Sequence, residues 1–142
     1  MLNKISLIIN INNNRVKLNV EPRTLLVDLI RNNLKLTGTH IGCDTSQCGS
    51  CMVLLDNKCV KSCSVLAAQC NNKSIKTIES IGKENNLSNV QKAFKDNHGL
   101  QCGFCTPGFI MSAIECKKNS LSSENEIRNF LDGNFCRCTG YQ

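Results

Sequence analysis

The chain begins with alternating apolar and polar residues and changes to helical spacing in its second half. Residues 4–11 (KISLIINI) and 15–20 (RVKLNV) alternate in part, which predicts two strands. They flank Asn12-Asn13-Asn14, a run suited to a hairpin turn. Pro22 interrupts the pattern. Thr24 is placed to cap a helix running to about Leu34, with Leu25, Leu26, Val27, Leu29 and Ile30 on its apolar side. Residues 38–51 (GTHIGCDTSQCGSC) are poor in apolar residues and rich in Gly and Cys, the composition of a loop. Beyond it, MVLLD and KCVKSCSVLAAQ predict strands joined at Asp56-Asn57. SIKTIES follows a turn at Asn71-Asn72.

From about Ile81 the signals are helical. Ser88 with Gln91 forms a capping box before VQKAFKDNH. Thr106 is a capping hydroxyl before Pro107, with GFIMSAIECKK to follow. Ser123 with Glu126 opens a further helix that ends near Leu131-Asp132-Gly133, where Gly suits the position after the C-cap. The order predicts an α+β protein of two small domains, residues 1–80 mostly β and residues 81–142 helical. Domains this small often need a metal staple.

At 41% hydrophobic and 20% charged, the 142 residues have a globular composition. Only 4% are aromatic, which weakens any reading that needs rows of stacking rings, such as nucleic-acid binding. The formal charge of +6 comes from scattered Lys and Arg rather than one basic stripe. No apolar run is long enough for a membrane span, and MLNKISLIIN lacks the apolar core of an export signal, so a cytoplasmic location is expected. Eleven Cys change the picture most. In a reducing compartment that content points to metal or redox chemistry rather than disulfides.

Cys43, Cys48 and Cys51 follow the order C-x4-C-x2-C. That is the plant-type [2Fe–2S] spacing, which needs a distant fourth Cys. Such a loop must curl round one cluster edge and aim backbone N–H groups at sulfur. Gly42 and Gly49 supply the close approach and left-handed backbone this needs. Paired C-x2-C knuckles are the usual zinc pattern, and this gap fits them less well. Two fourth ligands are available, Cys59 and Cys63, and strand periodicity puts both on one face. His40 borders the loop and could ligate as in a Rieske centre, but four Cys already suffice.

A second set opens at Cys102-Gly-Phe-Cys105, just before a helix N-terminus that favours negative charge, and closes at Cys136-Arg-Cys138. Four thiolates there could hold structural zinc or a second [2Fe–2S] cluster. The redox character of the first half tips the balance to the cluster. Eight thiolates on two oxidised clusters would bring the net charge down to about +2.

GCDTSQCGSC, VKSC, LQCGFCTPG and GNFCRCTGYQ, in that order, resemble the iron–sulfur small subunit of the molybdenum hydroxylases. That family includes xanthine and aldehyde dehydrogenases. GTHIGCDTSQCG and HGLQCGFCTPG, with Met111 just after, are most similar to the small chain of the aerobic carbon monoxide dehydrogenases. The resemblance implies a β-grasp ferredoxin-like domain followed by a four-helix-type domain, whose last helix is expected to be truncated because relatives continue past CRCTGYQ. It implies Cys43, Cys48, Cys51 and Cys63 as ligands of a cluster nearer a flavin. Cys102, Cys105, Cys136 and Cys138 would hold one nearer a molybdopterin. Gln101 and Cys138 would lie against the pterin. It further implies a large molybdopterin-binding partner and a medium FAD-binding partner, in a dimer of heterotrimers. Ser50, Met52 and Phe109 depart from the family's usual residues in a size-tolerable way. Cys59, Cys70 and Cys116 are left as small buried hydrophobes. A stand-alone ferredoxin with a zinc-stapled helical domain and a purely structural zinc protein are the readings from other classes.

Overall fold

Two tight hairpins organise the first half, and both are built by residues that tolerate left-handed backbone. The computed structural model describes residues 3–141, so Met1, Leu2 and Gln142 lie outside it. β1 (Ile5–Ile11) and β2 (Asn14–Val20) pair antiparallel around Asn12 and Asn13, with φ of 51° and 68°. β3 (Met52–Leu55) and β4 (Lys58–Lys61) do the same around Asp56 and Asn57, with φ of 49° and 66°. Two consecutive positive φ values match the twist of the flanking strands, and Asn and Asp accept them at low cost.

The same turn side chains tie in β5 (Ser74–Lys76). Asp56 Oδ1 accepts from the Ser74 N–H at 2.9 Å, while Asn12 exchanges two bonds of 2.9 Å with Thr77. β5 runs parallel to β1 and antiparallel to β3, giving a mixed five-stranded sheet in the order β2-β1-β5-β3-β4.

The helix predicted from Thr24 to Leu34 forms differently. Helix α1 covers Leu26–Asp28 and widens into a π-type stretch at Leu29–Asn33, where the Leu34 N–H reaches the Leu29 carbonyl. Leu25 is the N-cap, and no side chain caps it. The segment after β4 takes that role instead. The Leu26 N–H donates to the Val65 carbonyl, and the Ala67 N–H donates to the Thr24 carbonyl, both at 2.8 Å. The result turns Leu26, Leu29 and Ile30 into a core with Leu7, Ile9, Val53 and Ile75, all 1% exposed or less. A helix clasped by a mixed sheet is the β-grasp arrangement.

KCVKSCSVLAAQ is also shorter as a strand than its pattern predicts. β4 stops at Lys61, and Ser62–Ser64 and Ala67–Cys70 are 3-10 turns. The Ser62 hydroxyl donates to the Cys51 carbonyl at 2.7 Å and the Ser64 hydroxyl to the Lys61 carbonyl at 2.8 Å. Such local bonds compete with ladder pairing.

The second half holds α2 (Asn89–Asp96), α3 (Thr106–Lys118) and α4 (Glu124–Leu131) among the described residues. The capping boxes at Ser88/Gln91 and Ser123/Glu126 form as the sequence indicates. Thr106 does not cap α3: Cys105 holds that position, Thr106 is already helical, and its buried hydroxyl oxygen has no partner. Gly133 follows the C-cap of α4 without left-handed φ, and its carbonyl packs against Gly49 instead. His98 closes α2 in left-handed conformation, with φ of 53°.

α3 is the helix that docks on the sheet. A Cβ on Gly108 would lie 2.2 Å from the Gly49 carbonyl oxygen, so only glycine lets the helix approach this closely. The Cys59 N–H donates to Glu115 Oε2 at 2.6 Å across the same seam. The tail after α4 binds the first loop directly: the Phe135 N–H donates to the Cys48 carbonyl at 2.8 Å and Asn134 Nδ2 to the Gly49 carbonyl at 3.3 Å. No helix among the described residues is long and apolar enough to cross a membrane.

Two facing cysteine loops form the candidate metal centres

The first loop curls as its spacing requires. Ser46 and Gly49 take φ of 57° and 70°, and a Cβ on Gly42 would press to 3.1 Å from Cys48 Sγ. The Cys48 N–H donates to Cys43 Sγ at 3.4 Å. N–H groups of Cys48, Thr45 and Gln47 aimed at Cys43 lower its thiol pKa from the ordinary value to about 6. Cys51 is its opposite: burial pushes its thiol up to about 11, with the neighbouring Cys63 thiol adding to the rise. Cys63 also lies 3.6 Å from the Ser46 hydroxyl.

Cys59 sits elsewhere. Its thiol is 3.7 Å from the Ser112 hydroxyl on α3, and burial pushes it up to about 11. Periodicity could not separate the two candidates because it assumed one regular strand. The 3-10 turn at Ser62–Ser64 takes Cys63 off that strand, beside Cys51, and leaves Cys59 in the seam. Cys70 and Cys116 are buried, 0% and 4% exposed.

The second loop brings its four thiols together in two pairs. Cys102 Sγ and Cys138 Sγ are 3.5 Å apart, and the Cys105 and Cys136 thiols lie close enough to shift each other's pKa. The Thr139 hydroxyl and N–H donate to Cys136 Sγ at 3.2 and 3.4 Å, lowering that thiol to about 7. Burial raises Cys105, at the N-terminus of α3, to about 11. Cys138 is raised chiefly by its thiol's bond to Cys102. Gln101, Cys102 and Cys138 are exposed, so this end of the site faces outward. Thr139 is the donor the sequence reading missed; its only signal was its place directly after the C-x-C pair.

Pairing is the informative feature. A zinc ion would draw four donors to one centre. In a [2Fe–2S] cluster each iron takes two thiolates, so the donors divide two and two. The thiols fit the dinuclear group. His40 is not among them: its Nδ1 lies 2.7 Å from the Phe104 carbonyl oxygen.

The two loops face each other across a cavity of about 350 Å³ lined by Cys43, Cys48, Phe104, Phe135, Cys102 and Cys138 among others. A larger groove of about 850 Å³ runs beside α3 and α4, and of the paired thiols only Cys105 and Cys136 reach it.

Comparison with known proteins matches the two cysteine loops separately. A family profile described as "2Fe-2S iron-sulfur cluster binding domain" matches residues 9–75, and one described as "[2Fe-2S] binding domain" matches residues 77–142. The gamma subunit of caffeine dehydrogenase from Pseudomonas sp. strain CBB1 is 44% identical over 94% of this chain and 83% of that one. The beta subunit of the 6-hydroxypseudooxynicotine dehydrogenase complex from Paenarthrobacter nicotinovorans is 44% identical over 99% of this chain and 89% of its own. Among solved structures, quinoline 2-oxidoreductase from Pseudomonas putida 86 superposes with a TM-score of 0.92 at 40% identity, over 98% of this chain and 86% of that chain. Aldehyde oxidoreductase from Desulfovibrio gigas gives 0.91 at 40% identity, over 96% of this chain and 16% of that much longer one. With both halves and both cysteine loops matched in order, the chain belongs to the two-cluster iron–sulfur subunits of the molybdenum hydroxylase family.

Proposed function

We propose that Cys43, Cys48, Cys51 and Cys63 hold one [2Fe–2S] cluster and Cys102, Cys105, Cys136 and Cys138 the other, in domains spanning residues 1–80 and 81–142. The observation that carries this is the pairing of thiols, with Cys63 drawn to Cys51 and Cys59 drawn to α3. When bound, each cluster supplies a one-electron couple, which makes the chain a relay between a molybdopterin in a large partner and FAD in a medium partner. The chain's own part is ligation, N–H···S bonding and burial, which tune such groups. Cys43 and Cys136 receive most of those donors.

The exposed Gln101 and Cys138 mark the face we assign to the pterin-bearing partner. Assembly as a dimer of heterotrimers in the cytoplasm completes the reading. The names of the relatives, for caffeine, a nicotine derivative and quinoline, favour a nitrogen heterocycle as the complex's substrate over carbon monoxide.

The ligand choice has a direct check. Cys63→Ser is expected to remove one cluster's EPR signal after reduction, while Cys59→Ser leaves both. Bleaching of the first cluster by Cys59→Ser would overturn the assignment.

A further inference from the structure

We infer that His40 is a positioning residue, latching the loop that carries Cys102 and Cys105 onto the loop that carries Cys43 and Cys48 and so setting the spacing between the two clusters. This rests on the two-cluster reading above. His40 belongs to the first loop by its backbone, since its N–H donates to the carbonyl of buried Ser50 at 3.2 Å. Its side chain belongs to the second. Nδ1 lies 2.7 Å from the carbonyl oxygen of Phe104, 64 residues away. A carbonyl only accepts, so Nδ1 carries the proton and donates. The imidazole also stacks on the Phe104 ring, with centroids 4.5 Å apart and planes inclined by 20°. Offset stacking of this kind is favourable beyond the area it buries.

Phe104 lies in the chain between Cys102 and Cys105, so what fixes it restrains both. It is 46% exposed, and burial alone does not hold it. His40 stacks on the ring, and Gly42 is near enough that a Cβ there would lie 3.4 Å from it. The second tether between the loops, from the Phe135 N–H to the Cys48 carbonyl, anchors the Cys136–Cys138 side and is independent of His40. Removing His40 therefore frees the Cys102–Cys105 side while Gly108 and Phe135 keep the halves docked.

The test is the magnetic interaction between the two reduced clusters, read as a splitting of their EPR lines in the full, cluster-loaded chain. This splitting depends on the separation and relative orientation of the centres and needs both clusters present and reduced in the same chain, so iron content is read beside it. His40→Ala is expected to keep about four irons per chain and both signals, and to lose much of the splitting. His40→Asn retains an N–H near the position of Nδ1 and is expected to restore part of it. An unchanged splitting in His40→Ala overturns the inference. Should that variant lose iron, Phe104→Leu decides instead, because it keeps the carbonyl acceptor and removes only the ring: a reduced splitting supports the latch and an unchanged one sinks it. A wild-type chain with only one cluster signal would instead contradict the two-cluster reading.

Discussion

The two halves of this chain are stabilised in different ways, although each contributes four of the candidate ligand thiols. The first half has a sheet and a clasped helix around Leu7, Ile9, Leu29, Val53 and Ile75, which hardly touch solvent. In the second half α2 and α4 contain no buried residue at all, and α3 contributes Ile110 and Met111. One half is a hydrophobic core with a metal loop attached. The other is a metal loop with helices attached, leaning on its neighbour through α3. Small units with little apolar burial depend on such staples, and metal affinity then becomes folding free energy.

Removing iron should separate the halves most. After chelation, amide hydrogen exchange is expected to show α2 and α4 losing protection while β1, β3 and β5 keep theirs. Equal loss across the chain would break the contrast. Next in size is the seam. Gly108→Ala places a methyl against the Gly49 carbonyl and should cost about 3 kcal/mol, as overpacking does. Leu29→Ala, in the first core, should cost a similar ~3 kcal/mol through its cavity. The two differ in what they disturb: Leu29→Ala melts the sheet, measured by denaturant titration, whereas Gly108→Ala chiefly loosens the helices.

Smallest are the caps. Ser123→Ala should cost about 1 kcal/mol at the start of α4, and Ser88→Ala a similar amount at α2. Glu126 sharpens the first of these. The Ser123 hydroxyl and N–H, with the Ser122 N–H, hold its carboxyl below the ordinary range. A depressed folded value means that stability is present above the unfolded pKa and is lost as pH falls through the folded one. Thermal melts under acid should therefore show the contribution of Ser123 shrinking, and a pH-independent Ser123→Ala effect would remove Glu126 from the cap.

The turns and caps were legible because their chemistry is local: Asn12-Asn13, Asp56-Asn57 and the two capping boxes act within a few residues. So were the cysteine loops, whose spacing is itself the signal. Other features depended on distant partners. α1 starts after Leu25 because residues 65–67 bond to the backbone on either side of it, a contact no periodicity encodes. Thr106 had the right neighbour in Pro107, yet Cys105 begins the helix one residue earlier. The closeness of Gly108 to Gly49, and the bond from Asn134 to the same carbonyl, join residues far apart in the chain and leave no pattern in either segment.

The most direct measurement is iron, zinc and acid-labile sulfide per chain on anaerobically purified protein, with an EPR spectrum after reduction. About four irons and four sulfides per chain, with two distinct reduced-cluster signals, is the expected result for eight thiolates in two sets of four. About two irons with one zinc, and a single signal, would contradict it and confine the redox chemistry to the first loop.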